Sequence, residues 1–368
     1  MNEFTTLMNT LDTALSLKRG HGSETEAKFV AWLCKQVCPT LIDGGGNIHV
    51  ELGSSRTIFT AHTDSVHHEE GENKIRKTLT HWHADGAALG ADDGCGIALM
   101  LHMIAAGVPG RYIFFRGEEC GGIGSGWLAA EMPQLLQRYD RAIAFDRAGL
   151  GDVITHQSGG RCCSDVFANA LAKALNVNGL MYMPDATGVY TDTAEFTKLV
   201  PECTNLSVGY DKQHGPQEKL DLLHFLAVAD VVTKIDWEAL PTSRDPKAKE
   251  PRYSRWGSPN LAGSRYADSA CFADLATYAP AYMYDSDEAE ATDAAIDAVL
   301  KAIDNRVYGS LLGILAETIY PQDPALARKH IKVSDLTDDR LLVALESLEI
   351  DSVETVMLAL YDSMPVAA

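Results

Sequence analysis

The sequence predicts an α/β fold of three layers, in which helices cover both faces of a mostly parallel mixed sheet. Over residues 1–240, short apolar segments alternate with helical ones, and these segments include TIFTAH, RYIFFR and RAIAFD. Such largely apolar segments are typical of strands that are buried on both faces. With 368 residues, of which 46% are hydrophobic, the chain is long enough for such a core and a second, smaller unit.

The individual elements follow in order from local patterns. An amphipathic pattern predicts a helix over Glu3–Lys18, and the capping box of Ser23 and Glu26 predicts a second helix that ends at Val37. The remaining segments alternate as a parallel sheet requires. The predicted strands are NIHVEL, TIFTAH, RYIFFR, RAIAFD and CTNLSVG, and the predicted helices are GCGIALMLHMIAAG, GWLAAEMPQLLQRY, RCCSDVFANALAKAL and DLLHFLAVADVVTKI.

The composition changes after residue 240. Proline, serine and mixed charges in PTSRDPKAKEPRYSRWGSPN indicate a linker, and alanine-rich acidic stretches beyond it predict a small helical appendage. We therefore expect a first domain over residues 1–240, a linker over 241–284 and a helical C-terminal region over 285–368. The sequence leaves the role of that last region open, and oligomerisation through it is one role that we consider.

The charge of the sequence argues against two classes of partner, and the pattern of its cysteines indicates a cellular location. The formal charge of −20 repels the phosphates of nucleic acids and anionic membranes, so neither is an expected partner. The sequence contains no uninterrupted apolar run of about 18 residues and no signal-like N-terminus. The cysteines form no CxxC pair, which favours reduced thiols and a cytoplasmic location.

Residues of the types that bind metals lie at successive ends of the predicted strands, which is where α/β sheets bind their ligands. A single residue of one of these types is also common in a solvated turn or at a helix cap. Their repetition at one end of the strands predicts a metal site, because mixed imidazole and carboxylate ligands suit zinc and also admit manganese or cobalt. The residues are His62 at the end of TIFTAH and Asp64 just beyond it, Asp92 at the start of a helix, Glu118 and Glu119 after RYIFFR, Asp146 at the end of RAIAFD, and His214 after CTNLSVG.

Five blocks in this order resemble the co-catalytic dinuclear zinc exopeptidases: HTDSV, GADDGCGIA, RGEECGGIGS, AFDRAG and HGPQE. That superfamily comprises aminopeptidases, glutamate carboxypeptidases, tripeptidases and aminoacylases. The resemblance covers Thr5 to Ile235 and does not extend into the C-terminal region. It implies a metallopeptidase domain over residues 1–240 that hydrolyses peptide bonds with two divalent ions.

The resemblance also implies a role for each candidate residue. Asp64 would orient the imidazole of His62, and Glu118 would act as general base on a water shared by the two ions. The peptide bond between Asp92 and Asp93 would be cis. In the implied ligand set, His62 and Asp146 hold one ion, Glu119 and His214 hold the other, and Asp92 bridges both.

Within the superfamily, the chain resembles the lidless aminopeptidases most. Only 67 residues separate Asp146 from His214, which is too short an interval for a lid domain of about 100 residues. HGPQE and GADDG nevertheless resemble the lidded branch, and its tripeptidases in particular. We expect removal of N-terminal residues from peptides, with the branch left open.

Substrate contacts are less specifically indicated. Tyr190 and Tyr210 are candidate donors to the carbonyl oxygen, although tyrosines are also common core residues. Asp192 and Glu195 are candidate partners of a substrate α-ammonium group, although they suit helix capping equally well. A carboxylate-binding arginine is not assignable. Acylated amino acids therefore stay an alternative substrate, cleaved by a deacylase or carboxypeptidase of the same superfamily, and an inactive binding protein is a further alternative.

Overall fold

The computed structural model describes residues 3–248, apart from 79 and 178. The predicted helical region over 285–368 and most of the predicted linker lie outside the described residues. No described helix is long and apolar enough to cross a membrane. The helices are α1 (Glu3–Leu15), α2 (Glu24–Val37), α3 (Ala91–Ala105), α4 (Ile123–Glu131), α5 (Pro133–Leu136), α6 (Asp165–Leu175) and α7 (Leu222–Val232), with 3₁₀ helices at Asp192–Phe196 and Trp237–Ala239.

The strands of the described part form one large sheet and three small ones. The large sheet has eight strands in the order β13-β10-β14-β9-β4-β8-β3-β2. The strands are β1 (Leu17–Arg19), β2 (Leu41–Ile42), β3 (Ile48–Leu52), β4 (Thr57–His62), β5 (Glu70–Glu72), β6 (Ile75–Lys77), β7 (His81–Ala84), β8 (Gly110–Phe115), β9 (Arg141–Arg147), β10 (Asp152–Ile154), β11 (His156–Gln157), β12 (Gly160–Arg161), β13 (Met183–Asp185), β14 (Glu202–Ser207), β15 (Tyr210–Asp211) and β16 (Lys219–Asp221).

The centre of the large sheet is parallel. Strands β14, β9, β4 and β8 are neighbours and run in the same direction, whereas β3 pairs antiparallel with β8, and β10 pairs antiparallel with β14. The predicted mostly parallel mixed sheet is therefore confirmed. Because β4, β8 and β9 end at the same edge, the loops that follow them meet there.

Apolar side chains on both faces of this sheet pack against other elements. Ile58 belongs to a buried cluster that also contains Leu128 of α4 and Phe196. The next residue of β4, Phe59, points to the opposite face, where its ring meets that of Trp237. Helix α3 packs against β4 and β9. The predicted layered arrangement is confirmed for the described residues.

The residues at which the helices begin and end confirm some predictions and correct others. The Ser23 hydroxyl accepts a hydrogen bond from the backbone N–H of Glu26 and caps α2 as predicted. The first helix ends at Leu15 rather than Lys18, because the following residues pair with β5. Pro133 begins a separate helix and so divides the predicted helix GWLAAEMPQLLQRY. The predicted helix RCCSDVFANALAKAL begins only at Asp165, after the cap residue Ser164.

A second, four-stranded antiparallel sheet was not predicted. It has the order β15-β16-β7-β6, and its strands are only two to four residues long, too short for a clear alternating pattern. The loop between β15 and β16 carries His214. This small sheet therefore brings the last candidate ligand to the edge of the large one.

Candidate metal centre

The predicted ligands and the predicted general base come from separate parts of the chain and meet at the carboxyl edge of the large sheet. Three neighbouring strands, β9, β4 and β8, supply them at or just beyond their ends. The helix α3 and the small antiparallel sheet supply the others. His62 is the last residue of β4, Asp146 lies one residue before the end of β9, Glu118 and Glu119 follow β8, Asp92 lies in the first turn of α3, and His214 lies between β15 and β16.

Two groups of side chains share Asp92. Its Oδ1 lies 3.0 Å from Nε2 of His62, and that nitrogen lies 3.7 Å from Oδ1 of Asp146. Its Oδ2 lies 3.0 Å from Nε2 of His214, which lies 3.3 Å from Oε2 of Glu119. Within each group the potential ligand atoms lie within 4.8 Å of one another. The structure thus brings together the five residues that the resemblance implies as ligands.

Asp64 joins the loops after β4 and β8. Its Oδ1 accepts hydrogen bonds from the N–H groups of Gly117 at 3.0 Å and Glu118 at 3.2 Å, and its Oδ2 accepts one from Glu119 at 3.2 Å. The predicted contact with His62 is also present, since Nδ1 of His62 lies 3.5 Å from Oδ1 of Asp64 and 3.2 Å from its carbonyl oxygen. Asp64 therefore fixes both the imidazole and the turn that carries Glu118 and Glu119.

Asp93 makes a second connection that the sequence did not predict. Its Oδ2 accepts the N–H of His62 at 3.1 Å, and its Oδ1 accepts the N–H of Gly96 at 2.9 Å. A Cβ atom at Gly96 would lie 2.3 Å from Oδ1 of Asp93, so a glycine is required there. The peptide bond between Asp92 and Asp93 is cis, as the resemblance implies.

The carboxylate of Asp146 is held on both oxygens. The hydroxyl of Tyr210 donates to Oδ1 at 3.1 Å, and that of Thr191 donates to Oδ2 at 2.7 Å. The side chain of Asn205 accepts the N–H of Asp146 at 2.8 Å and donates to its carbonyl oxygen at 2.6 Å. Tyr210, a predicted candidate donor to substrate, is thus bound to a candidate ligand, and the sequence does not predict the contacts of Thr191 and Asn205.

Glu218 supports the loop that leads into Asp92. Its carboxylate is buried and accepts hydrogen bonds from the N–H groups of Gly90, Ala91 and Asp92 at 2.8–3.2 Å. It is the last residue of the HGPQE block, in which only His214 is a predicted ligand. Glu218 therefore links the loop that carries His214 to the start of α3.

The chemistry of these side chains fits divalent cations. The side chains of Asp92, Glu119 and Asp146 are at most 10% exposed, and Oε1 of Glu119 is buried without a hydrogen-bond partner among the described residues. Burial, with the neighbouring Asp92, raises the pKa of Glu119 to about 7 and also raises that of Asp146. Crowded buried carboxylates are stable when a cation shares them, and this mixture of nitrogen and oxygen donors suits zinc or manganese.

The imidazoles and the carboxylates of the site stabilise one another's charged forms. Burial opposes protonation of His214, but hydrogen bonds with Asp92 and Glu119 raise its pKa to about 11. Burial likewise opposes ionisation of Asp92, but hydrogen bonds with His214 and His62 lower its pKa. Nε2 of each imidazole faces the carboxylates with which it would share an ion.

Glu118 lies beside the two groups without belonging to either. Burial raises its pKa well above the ordinary value, and the carboxylates of Asp146 and Asp192 raise it further. A carboxylate with a raised pKa is suited to accept a proton near neutral pH. Its position is consistent with the predicted general base.

The other predicted substrate contacts occupy the segment before β14. The Tyr190 hydroxyl donates to Oε1 of Glu195 at 3.1 Å and packs over Gly122, where a Cβ atom would lie 1.8 Å from it. Glu195 is exposed, whereas Asp192 is 1% exposed and its Oδ1 has no hydrogen-bond partner among the described residues. Burial raises the pKa of Asp192 to about 8. Asp192 does not cap the 3₁₀ helix through its side chain, so that alternative is not supported.

The two arginines that lie nearest to these blocks in the sequence pair with acids. Nε of Arg147 lies 3.0 Å from Oδ2 of Asp152, and the guanidinium of Arg161 lies 2.7 Å from Oδ1 of Asp165. A substrate carboxylate would have to compete with these partners. The described residues thus show no support for a carboxylate clamp at either arginine.

The fold is shared with solved structures of peptidases. Aminopeptidase PepT from Bacillus cereus ATCC 10987 matches with a TM-score of 0.51 at 14% identity, covering 63% of this chain and 97% of that one. PhTET1-12s, a dodecamer, matches with a TM-score of 0.50 at 16% identity, covering 61% of this chain and 97% of that one. No family model and no curated protein matches the sequence. These similarities confirm the predicted fold.

Proposed function

We propose that this protein is an aminopeptidase that removes N-terminal residues from peptides at a dinuclear zinc centre. The observation that carries the proposal is the sharing of Asp92, whose two oxygens each lie 3.0 Å from the imidazole of a different ligand group. A carboxylate between two such groups is suited to bridge two divalent ions. The fold shared with PepT supports a peptidase, and manganese or cobalt would suit the same ligands.

Two ions held by these groups would supply Lewis acidity toward the scissile carbonyl and toward water. Glu118 would accept the proton of the attacking water on its carboxylate and deliver it to the nitrogen of the leaving amine. Asp64 would hold Glu118 in place through the N–H groups of the turn that bears it. Both tyrosine hydroxyls donate to a carboxylate, but Tyr190 is the better candidate for a donor to the carbonyl oxygen, because its partner Glu195 is exposed whereas Tyr210 is bound to the candidate ligand Asp146.

The preference for a free N-terminus rests on Asp192. A buried carboxylate oxygen without a partner is unfavourable, and a substrate ammonium group would supply the missing hydrogen bond and charge. Approach of this cation would also lower the pKa of Asp192 from about 8 and thereby favour the ionised carboxylate. The engagement of Arg147 and Arg161 with acids argues against recognition of a substrate carboxylate.

Chelation is expected to abolish hydrolysis of leucine p-nitroanilide, and Zn²⁺ added after dialysis is expected to restore it, because the ligand groups would then be refilled. The N-acetylated anilide should be a poor substrate, since it lacks the ammonium group. The measurement is the initial rate on both compounds, together with the metal content of the protein.

The same assay separates the alternatives. Hydrolysis of N-acetyl-leucine but not of the free-amine anilide would indicate a deacylase, and release of C-terminal residues from N-blocked dipeptides would indicate a carboxypeptidase. A protein that binds no Zn²⁺ and cleaves none of these compounds would be an inactive binding protein. Each of these three results contradicts the proposal.

Asp192→Asn is expected to lower kcat/KM for the free-amine anilide about 30-fold or more, because loss of one partner of a desolvated charge pair costs about 2 kcal/mol or more. The residual rate on the N-acetylated anilide should not change. Glu195→Gln is the matched control, and it should have a smaller effect since Glu195 is exposed. An equal loss on both substrates would show that Asp192 does not recognise the ammonium group.

A further inference from the structure

Arg19 is a fully buried arginine between the residue that follows β4 and the residue that precedes α3, two elements that carry candidate ligands. One terminal nitrogen of its guanidinium donates to the carbonyl oxygen of Thr63 at 2.7 Å, and the other donates to that of Gly90 at 3.1 Å. Thr63 directly follows His62, and Gly90 lies two residues before Asp92. One planar group thus connects the main chains beside the two ligands that would share an ion.

Neighbouring residues hold both the side chain and the main chain of Arg19 in place. Its guanidinium stacks on the ring of Phe29, 4.8 Å from the ring centre. The main chain of Arg19 is fixed as well, since its N–H donates to the hydroxyl of Ser65 at 3.1 Å and its carbonyl accepts the N–H of Ser65 at 3.0 Å. A Cβ atom at Gly94 would lie 2.8 Å from Cδ2 of Leu15 and 3.3 Å from Nη2 of Arg19, so glycine leaves room for both side chains.

Arg19 also contributes charge to the site. Four carboxylates act on its guanidinium without being candidate ligands, and they are those of Asp64, Asp93, Glu26 and Glu218. A cation among them reduces the repulsion that packed carboxylates would otherwise exert on one another. The peptide groups around Gly90 are held from two sides, because Glu218 accepts the N–H of Gly90 at 3.1 Å while Arg19 binds its carbonyl.

We propose that Arg19 is a positioning residue that fixes the spacing of His62 and Asp92 and thereby sets the affinity of the centre for metal. The proposal rests on the proposed function, since it assumes that these groups bind divalent ions. Arg19 does not reach the ligand atoms itself, and it acts through the carbonyl groups of Thr63 and Gly90. Side chains that orient ligands from outside the coordination shell commonly change metal affinity by 10–100-fold.

The test compares Arg19→Met with Arg141→Met. Arg141 is also buried and donates to two carbonyl groups, those of Trp237 at 3.0 Å and Leu240 at 2.8 Å. It is the first residue of β9, however, and therefore lies at the end of the strand opposite to the candidate ligands. Both variants should lower the unfolding temperature. Only Arg19→Met should weaken binding of Zn²⁺, by about 10–100-fold, as measured by competition with a chromophoric chelator at a temperature where circular dichroism shows both proteins folded.

Arg19→Lys keeps the charge with fewer donors, so an affinity between those of the unaltered protein and Arg19→Met is expected. If Arg19→Met does not fold, weakened Zn²⁺ binding by Arg19→Lys supports the proposal and unchanged binding overturns it. Unchanged affinity in Arg19→Met, or an equal loss in Arg141→Met, overturns it as well. Failure of the unaltered protein to bind Zn²⁺ would instead overturn the proposed function.

Discussion

Glu118→Gln is expected to lower kcat about 10²–10⁴-fold while leaving the metal content unchanged. The substitution keeps the size of the side chain and removes its capacity to accept a proton. Glu118 lies outside both ligand groups, so its loss should not release metal. The measurements are kcat on the free-amine anilide and the number of bound ions per chain, determined by mass spectrometry after dialysis.

The structure supports a large effect on catalysis with little effect on folding. The N–H of Glu118 donates to Oδ1 of Asp64, a main-chain contact that survives the substitution. Burial raises the pKa of Glu118 well above its ordinary value, so the ionised side chain is not a source of stability in the protein without metal. Neutral glutamine should therefore be tolerated, and the unfolding temperature should stay close to that of the unaltered protein.

Glu131→Gln is the control for this prediction, because Glu131 is an exposed glutamate at the end of α4. Its kcat should not change. A Glu118→Gln variant with activity within tenfold of the unaltered protein would exclude Glu118 as the general base. A variant that lost bound metal would show that Glu118 is a ligand rather than a base.

The sequence alone was sufficient to predict the candidate ligands that lie at or just beyond the ends of strands. The apolar segments predicted β4, β8 and β9, and the polar residues at or just beyond their ends predicted that His62, Glu119 and Asp146 would lie close together. This inference succeeds because parallel neighbouring strands place their ends at one edge. It needs only the order of the strands along the chain and the type of the residue at each end.

The supporting residues could not be inferred in this way. Arg19 acts on residues 44 and 71 positions away, and Glu218 acts on peptide groups 126–128 positions away. Neither lies in a pattern that specifies its partners, because a basic residue after a helix and an acid in a loop are usually exposed. The small antiparallel sheet was missed for a related reason, since its strands depend on pairing across the chain rather than on their own composition.

Asp92→Asn is expected to weaken the binding of both ions, by more than about 10²-fold each, and to abolish activity. Each oxygen of Asp92 faces a different imidazole, so an amide at this position removes the charge from both groups and one oxygen from one of them. Asp146→Asn alters only the group that contains His62 and should leave one ion bound per chain. The measurement is the metal content of each variant after dialysis against a weak chelator.

The comparison between these two variants decides whether the centre is dinuclear with a shared ligand. Asn is nearly the same size as Asp, so packing around the two positions should be preserved and circular dichroism should show folded protein in both cases. If the ions were independent, Asp92→Asn would release one ion and keep the other, as Asp146→Asn does. Retention of a single ion by Asp92→Asn would therefore contradict a bridging role, and retention of both would exclude Asp92 as a ligand.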